Sequence, residues 1–469
     1  MTPERVRSLA TAAPLLVGVA CAGAMFGGAA ESYRVLGVVE ALVFAAGIVA
    51  LLPLLLGVPS PSEPPPREHA LAAACLATLL CVALFQCVLP ATTTIPPDGI
   101  KLAIGSLAPT ETARETLKLA ACLTAFLVAG RSSADPRTLL ALAGPVVAAA
   151  VVLCLHGLLR FLYPVAIPAL YEHRVWNYGD RLTATYTNPN HFAGMLEMVL
   201  PLALAGSVIA AGSSPAAPAP GGSLRSRLTA IGRSPASIVA AAAAVLFAVA
   251  LTFTRSRFGI VCGAGGVVAF VLLQRRAFRG ALILGGLAIL VVACLALLRE
   301  APLSARFDSL DRDVALRLGV WKDTARGIAG RYGVVGSGLG TFLFTFPEYQ
   351  TSFPHAEFAE AHNDFLQLVW EAGVLGAVPA ALFLWFVLRC IVRRTAEEDG
   401  EARALRAGAG AAVAALVGHS LGDFNLQVAA NGLLFAICAG LATGAGFASR
   451  ESRQAGFASR EPRGIRRSG

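Results

Sequence analysis

Apolar runs of about twenty residues recur along most of the chain, separated by short polar breaks. A helix crossing a bilayer needs roughly 20 consecutive apolar residues, so each run is a candidate span. Twelve can be marked, near 9–29, 35–57, 70–90, 115–130, 138–162, 190–211, 236–253, 258–273, 280–298, 364–388, 405–422 and 427–445. The runs at 115–130, 258–273 and 405–422 are short or weak. Residues 299–363 form the one long polar stretch within the apolar part of the chain. The pattern predicts an all-α fold, a polytopic integral membrane protein of about 12 transmembrane helices with one large loop on one side.

Composition agrees. Only 14% of the 469 residues are charged and 56% are hydrophobic, whereas a soluble domain carries about 25% charged residues. The first run follows Arg5 and Arg7 as a signal peptide would, but another span follows at once, so it is read as an uncleaved first helix. All ten cysteines fall inside apolar runs, which argues against a disulfide framework and against a zinc site.

The net charge of +9 is no mark of nucleic-acid binding, because the arginines gather at helix ends. With the N-terminus in the cytoplasm, the groups Arg5/Arg7, Arg131/Arg137, Arg225/Arg227/Arg233, Arg275/Arg276/Arg279 and Arg389/Arg393/Arg394 all fall inside. That is the positive-inside pattern. Residues 213–235 read as a flexible Ser/Pro/Ala/Gly connector, and the basic, repetitive segment 446–469 as a cytoplasmic tail near anionic lipid. The chain divides into an N-terminal bundle (1–185), a core (186–445, with loop 299–363) and the tail (446–469).

Charge alone sets this orientation, yet every unusual polar motif lands outside. Asn188-Pro189-Asn190-His191 leads into the sixth span, as a capped helix start or as amide and imidazole beside a polar ligand. Arg255-Ser256-Arg257 puts two arginines against the charge trend, for lipid headgroups or for a bound anion. The outer loop carries Arg317, Trp321 and Lys322 at helical spacing. It then runs through Gly336-Ser337-Gly338-Leu339-Gly340, a tight turn or a backbone nest for an oxyanion. Asp311-Arg312-Asp313 reads as a solvated turn. His362-Asn363-Asp364 stands at the mouth of a long apolar helix, where a neutral imidazole can accept a proton from a hydroxyl. His419, Ser420, Asp423, Asn425 and Gln427 crowd the shortest outer turn, for capping or for a site. Glu197 and Glu371 lie within their spans, and Arg255 and Arg257 are their expected partners. His156 and Arg160 share a face of the fifth span.

Together these motifs resemble the O-antigen ligase/polymerase superfamily of bacterial envelope glycosyltransferases. The resemblance covers about 185–376, and His419 through Asn431 is similar to the C-terminal pattern of many members. It implies a GT-C-type, metal-independent and cofactor-free enzyme of the bacterial inner membrane, working at its periplasmic face. The implied donor is a glycan on undecaprenyl diphosphate, and the implied acceptor is lipid A core or a growing polysaccharide. Carried onto this chain, the resemblance implies that Arg257 and Arg317 hold the diphosphate while His362 assists the acceptor. Substrate contacts are then expected from Arg255, Asn188, Asn190, His191, Trp321, Lys322, Asn363, Glu371, His419, Asp423 and Asn425. Protein O-glycosylation within the superfamily, and a non-enzymatic lipid or polysaccharide transporter outside it, remain the alternatives.

Overall fold

The computed structural model describes residues 2–58, 65–89, 93–94, 102–103, 105–170, 181–212, 232–274, 303–398 and 400–445. The expected ninth span (280–298), the tail and most of the connector lie outside the described residues.

The described fold is helical apart from a two-residue antiparallel pair, Thr93–Thr94 with Leu102–Ala103. The helices are α1 (Pro3–Ala10), α2 (Ala13–Phe26), α3 (Tyr33–Leu55), α4 (Arg67–Val88), α5 (Pro109–Ser132), α6 (Pro136–Leu162) and α7 (Pro189–Gly212). They continue with α8 (Pro235–Phe253), α9 (Arg257–Leu273), α10 (Leu303–Gly327), α11 (Phe342–Thr345), α12 (Asp364–Glu397), α13 (Gly400–His419) and α14 (Ala429–Thr443). A helix therefore occupies each expected span that lies within the described residues. Among the described residues, seven stretches are long and apolar enough to cross a membrane: Pro3–Phe26, α3, α4, α6, α7, α8 and α12. The chain is a multi-pass membrane protein. Helices α9 and α14 are apolar but shorter, and α5 opens on charged residues, among them Glu111 and Arg114.

Local chemistry sets the helix starts. Ser32, Asp135, Ser234, Ser256 and Asn363 each accept a backbone N–H of the first turn of the following helix. Proline opens α5, α6 and α8, where its missing N–H costs nothing. Helix α7 is the most enclosed span and packs against α8, α9 and α13. Helix α12 lies on α4, and α14 on α5. His156 and Arg160, paired on α6, bond the Pro168 and Ile167 carbonyls and tie the following turn to the helix.

Helix α12 is broken near its N-terminal end. Gly373 has φ +61° and ψ −168°, which interrupts the helical ladder. Segment 333–338 fills the gap. The Ser337 and Gly338 amides donate to the carbonyls of Trp370 (3.0 Å) and Glu371 (2.9 Å), and the Val374 amide donates to Gly333 (2.8 Å). The Gln86 side chain, from α4, donates to the carbonyls of Val335 (2.7 Å) and Glu371 (2.8 Å). Unpaired backbone groups are costly in a membrane, so the break survives because a second segment satisfies it. Gly336, Gly338 and Gly340 all have positive φ, and a Cβ on Gly336 would sit 2.1 Å from the Glu371 oxygen. The glycine run is thus a close-packed patch on α12. Of the two readings its spacing allowed, the structure supports the tight turn.

At the opposite end of the bundle, buried Arg406 makes two bonds to Glu398 (2.6 and 2.7 Å) and one to the Gly444 carbonyl (3.1 Å). This clamp joins α12, α13 and the end of α14.

Candidate active site

The N-termini of α7, α9, α12 and α14 and the C-termini of α8 and α13 meet at one end of the bundle. Their short connections carry the polar motifs, and Asp423 lies at the centre. Its carboxylate, 1% exposed, faces His362 Nδ1 at 3.7 Å, His191 Nε2 at 3.9 Å and the Arg317 guanidinium at 3.7 Å. It also accepts hydrogen bonds from Asn190 Nδ2 (2.8 Å) and from the Phe424 amide (3.0 Å). Burial works against its charge, but the imidazoles of His362, His191 and His419 outweigh it and hold the carboxyl well below the usual carboxylate range.

The His362 side chain is 28% exposed, so it reaches both the buried aspartate and the solvent side. Its φ is +51°, a conformation a non-glycine residue holds only when its surroundings enforce it. They do. The Trp321 indole N–H donates to the carbonyls of Ala361 (3.1 Å) and His362 (3.3 Å). The Ala361 amide donates to the Gln367 side chain (3.0 Å). Asn363 caps α12 through the Phe365 and Leu366 amides (both 3.0 Å) and donates to the Leu421 carbonyl (3.0 Å). Phe424 stands edge-on to both imidazoles, 5.0 Å from His362 and 4.5 Å from His191. An Nδ1 turned to a carboxylate leaves Nε2 as the proton acceptor, and such contacts shorten when substrate arrives.

Arg317, on α10, is 24% exposed, and its guanidinium lies 5.9 Å over the Phe258 ring. A guanidinium has five N–H donors, so one aspartate leaves most of them for another anion. Phe258 belongs to the first turn of α9, beside exposed Arg257. Arg255 sits in the preceding tight turn with φ +53°, the same left-handed conformation as His362. Arg317 thus meets the first turn of α9, the turn that Arg257 opens. Lys322 is exposed on α10.

Other expected site residues bond within the protein. Asn188 accepts the Asn190 amide (2.8 Å). Asn425 accepts from Asn431 (3.0 Å), whose amide also reaches the His191 carbonyl (2.9 Å). The arginine partners expected for the two intramembrane glutamates give way to others. Glu197 pairs with His419 Nδ1 at 3.1 Å, both fully buried, because α7 packs directly on α13. Glu371 accepts the Phe342 amide (3.2 Å) and the Gln367 side chain one turn earlier on α12 (3.2 Å).

Arg181 went unmarked in the sequence. Its Nε donates to the Thr254 carbonyl (2.9 Å), and its terminal nitrogen donates to Asn190 (2.7 Å), which in turn bonds Asp423. The signal was available: the charge pattern puts Arg181 in an outer loop against the trend, as it puts Arg255 and Arg257. Glu360 also lies here. Burial, and then the charge of Glu371, push its carboxyl up to about 8, against the hydrogen bond from Gln367 that favours the ionised form.

Residues 242–381 match the family described as O-antigen ligase. The chain carries an O-antigen ligase domain. That domain spans Arg255, Arg257, Arg317, Trp321, His362 and Glu371. The Asn188–His191 and His419–Asn425 motifs lie outside the matched residues, on helices packed against it. No curated protein matches the chain. The match supports glycan-transfer chemistry of the ligase/polymerase type and polysaccharide biosynthesis at a membrane.

Proposed function

We propose that the chain transfers a glycan from undecaprenyl diphosphate to a sugar hydroxyl at the periplasmic face of the inner membrane, as an O-antigen ligase or polymerase. The carrying observation is the convergence of His362 and Arg317 on one buried carboxylate, Asp423, beside the helix start that bears Arg257. Charge bias along the chain supports twelve spans, with the loop 299–363 and this end of the bundle in the periplasm.

In this reading the acceptor hydroxyl attacks the anomeric carbon opposite the diphosphate. The new C–O bond forms as the bond to the phosphate oxygen breaks, and the anomeric centre inverts. The hydroxyl proton passes to His362 Nε2, and the electron pair of the broken bond stays on the diphosphate. Arg257 and Arg317 stabilise that growing charge with guanidinium donors, an electrostatic role suited to a site shielded from water. Asp423 holds His362 in orientation and offsets the positive charge that it gains.

A strain lacking the chain tests this through its envelope glycans. Loss of long chains, with lipid A core bearing single repeats, identifies a polymerase. Carrier-linked polymer that never reaches the core identifies a ligase. An unchanged glycan distribution overturns the proposal.

A further inference from the structure

A second polar cavity adjoins the His362 segment. It has a volume of about 220 Å³ and is lined by Tyr33, Glu111, Arg114, Lys118, Glu360 and Gln367, among others. Liquid water occupies about 30 Å³ per molecule, so the space is on the scale of one sugar ring. Helices α3, α5 and α12 form its walls. Gly340, Phe344 and Gln427 close it from the loops that also frame the candidate active site.

The charges in the cavity are arranged unlike those around Arg317. Arg114 is paired with Glu111 at 2.6 Å, and Lys118 with Glu115. Lys118 also donates to the Gln427 carbonyl at 2.8 Å. Glu360 and Glu371 are the further carboxyl groups on the wall. Each cation is thus matched, and carboxyl groups outnumber cations, so a phosphate finds no excess positive charge. A ring of hydroxyl groups finds closely spaced donors and acceptors. At the rim, Tyr33 is 64% exposed and stacks with Arg114 at 4.1 Å, an aromatic edge of the kind that borders polar ligands.

The cavity is coupled to the catalytic candidate. Gln367, 1% exposed, donates to Glu360 and to Glu371, and its oxygen accepts the Ala361 amide. Glu360 and His362 are two residues apart, about 7 Å of chain at full extension.

We propose that this cavity seats one neutral or amino-bearing sugar ring of the acceptor, apart from the arginines that suit the diphosphate. The assignment deepens the glycan-transfer reading and rests on it. Glu360 and Gln367 are its positioning residues: a hydroxyl bonded to Glu360 sits beside the segment that carries His362.

The test uses the full chain in lipid nanodiscs, with chitotriose and maltotriose as probes and pyrophosphate as the anionic control, read by saturation-transfer NMR. Wild type is expected to bind at least one trisaccharide. Tyr33→Ala and the plugging variant Ala359→Trp, both at exposed positions, are expected to weaken it about tenfold, the scale of one lost polar or aromatic contact. Arg317→Ala is expected to keep saccharide binding and lose pyrophosphate. Absence of trisaccharide binding in wild type overturns the proposal, as does unchanged binding in both rim variants or displacement of the saccharide by pyrophosphate. Transfer assays form the second arm: the rim variants should raise the acceptor KM about tenfold at unchanged kcat. Saccharide binding that responds to the rim variants in a chain with no transfer activity would sink the transferase reading and leave the cavity a saccharide site.

Discussion

The indole nitrogen of Trp321 lies 3.3 Å from the carbonyl oxygen of His362, and this contact joins α10 to the strained residue at the mouth of α12. Trp321 thereby acts on the backbone of the site. Trp321→Phe keeps most of the packing and removes the N–H. Transfer should fall at least about tenfold with donor binding unchanged, because small misplacements of a catalytic group are costly. Full transfer by the Phe variant would show that the hydrogen bond is dispensable.

Asp423→Asn preserves shape and removes the charge that His362, His191 and Arg317 face. Where a carboxylate orients a catalytic histidine, its loss costs roughly 10²–10⁴ in rate. The expected outcome is a kcat reduced by that order at saturating donor, in a protein that still folds and binds lipid-linked glycan. A normal kcat would make Asp423 a packing element.

For the arginines, Arg257→Ala and Arg317→Ala should each lower transfer by about 10²–10³, the scale for removing one donor to a developing anion. Arg→Lys should recover little, because an ammonium lacks the bidentate fork. Lysine variants with wild-type rates would point to simple charge attraction.

Glu360 gives a pH signature. Its carboxyl is raised from 4.5 to about 8 in the folded chain. Between those values the folded state holds a proton that the unfolded state has released, so stability falls as pH rises through the window. Glu360→Gln stays neutral. It should melt with wild type below about pH 4.5, decline less between there and pH 8, and melt higher than wild type above pH 8. Parallel melting curves for the two proteins across this range would contradict the assignment.

Sidedness is checked with single cysteines in a cysteine-free background. Positions 357 and 397 are both exposed, the first ahead of α12 and the second at its C-terminal end. An impermeant maleimide added from the periplasm should label Glu357→Cys and spare Glu397→Cys. The reverse pattern would place the site in the cytoplasm.

Runs of apolar residues were enough to locate the helices, because each span must meet its own backbone hydrogen bonds. The same rule concealed the break at Gly373. The apolar run reads straight through it, and the groups that repair it come from Gln86 and from 333–338. Sidedness and motif order brought His362, Arg317 and Asp423 into view, but the centrality of Asp423 depends on which helix ends touch. Pairing Glu197 with an arginine failed for a related reason. Depth in the membrane is legible in a sequence, whereas the adjacency of α7 and α13, which delivers His419, is not.

The repaired break in α12 also constrains how the protein is made. The carbonyls of Trp370 and Glu371 have no helical partners until segment 333–338 and Gln86 arrive. Both partners precede α12 in the chain, segment 333–338 close by and Gln86 far back, so closure includes a non-local contact. Until segment 333–338 docks, the helix is an unfinished wall, and that segment is the piece that completes it. A chain in which that segment fails to dock would keep bare backbone groups inside the bundle, a costly defect.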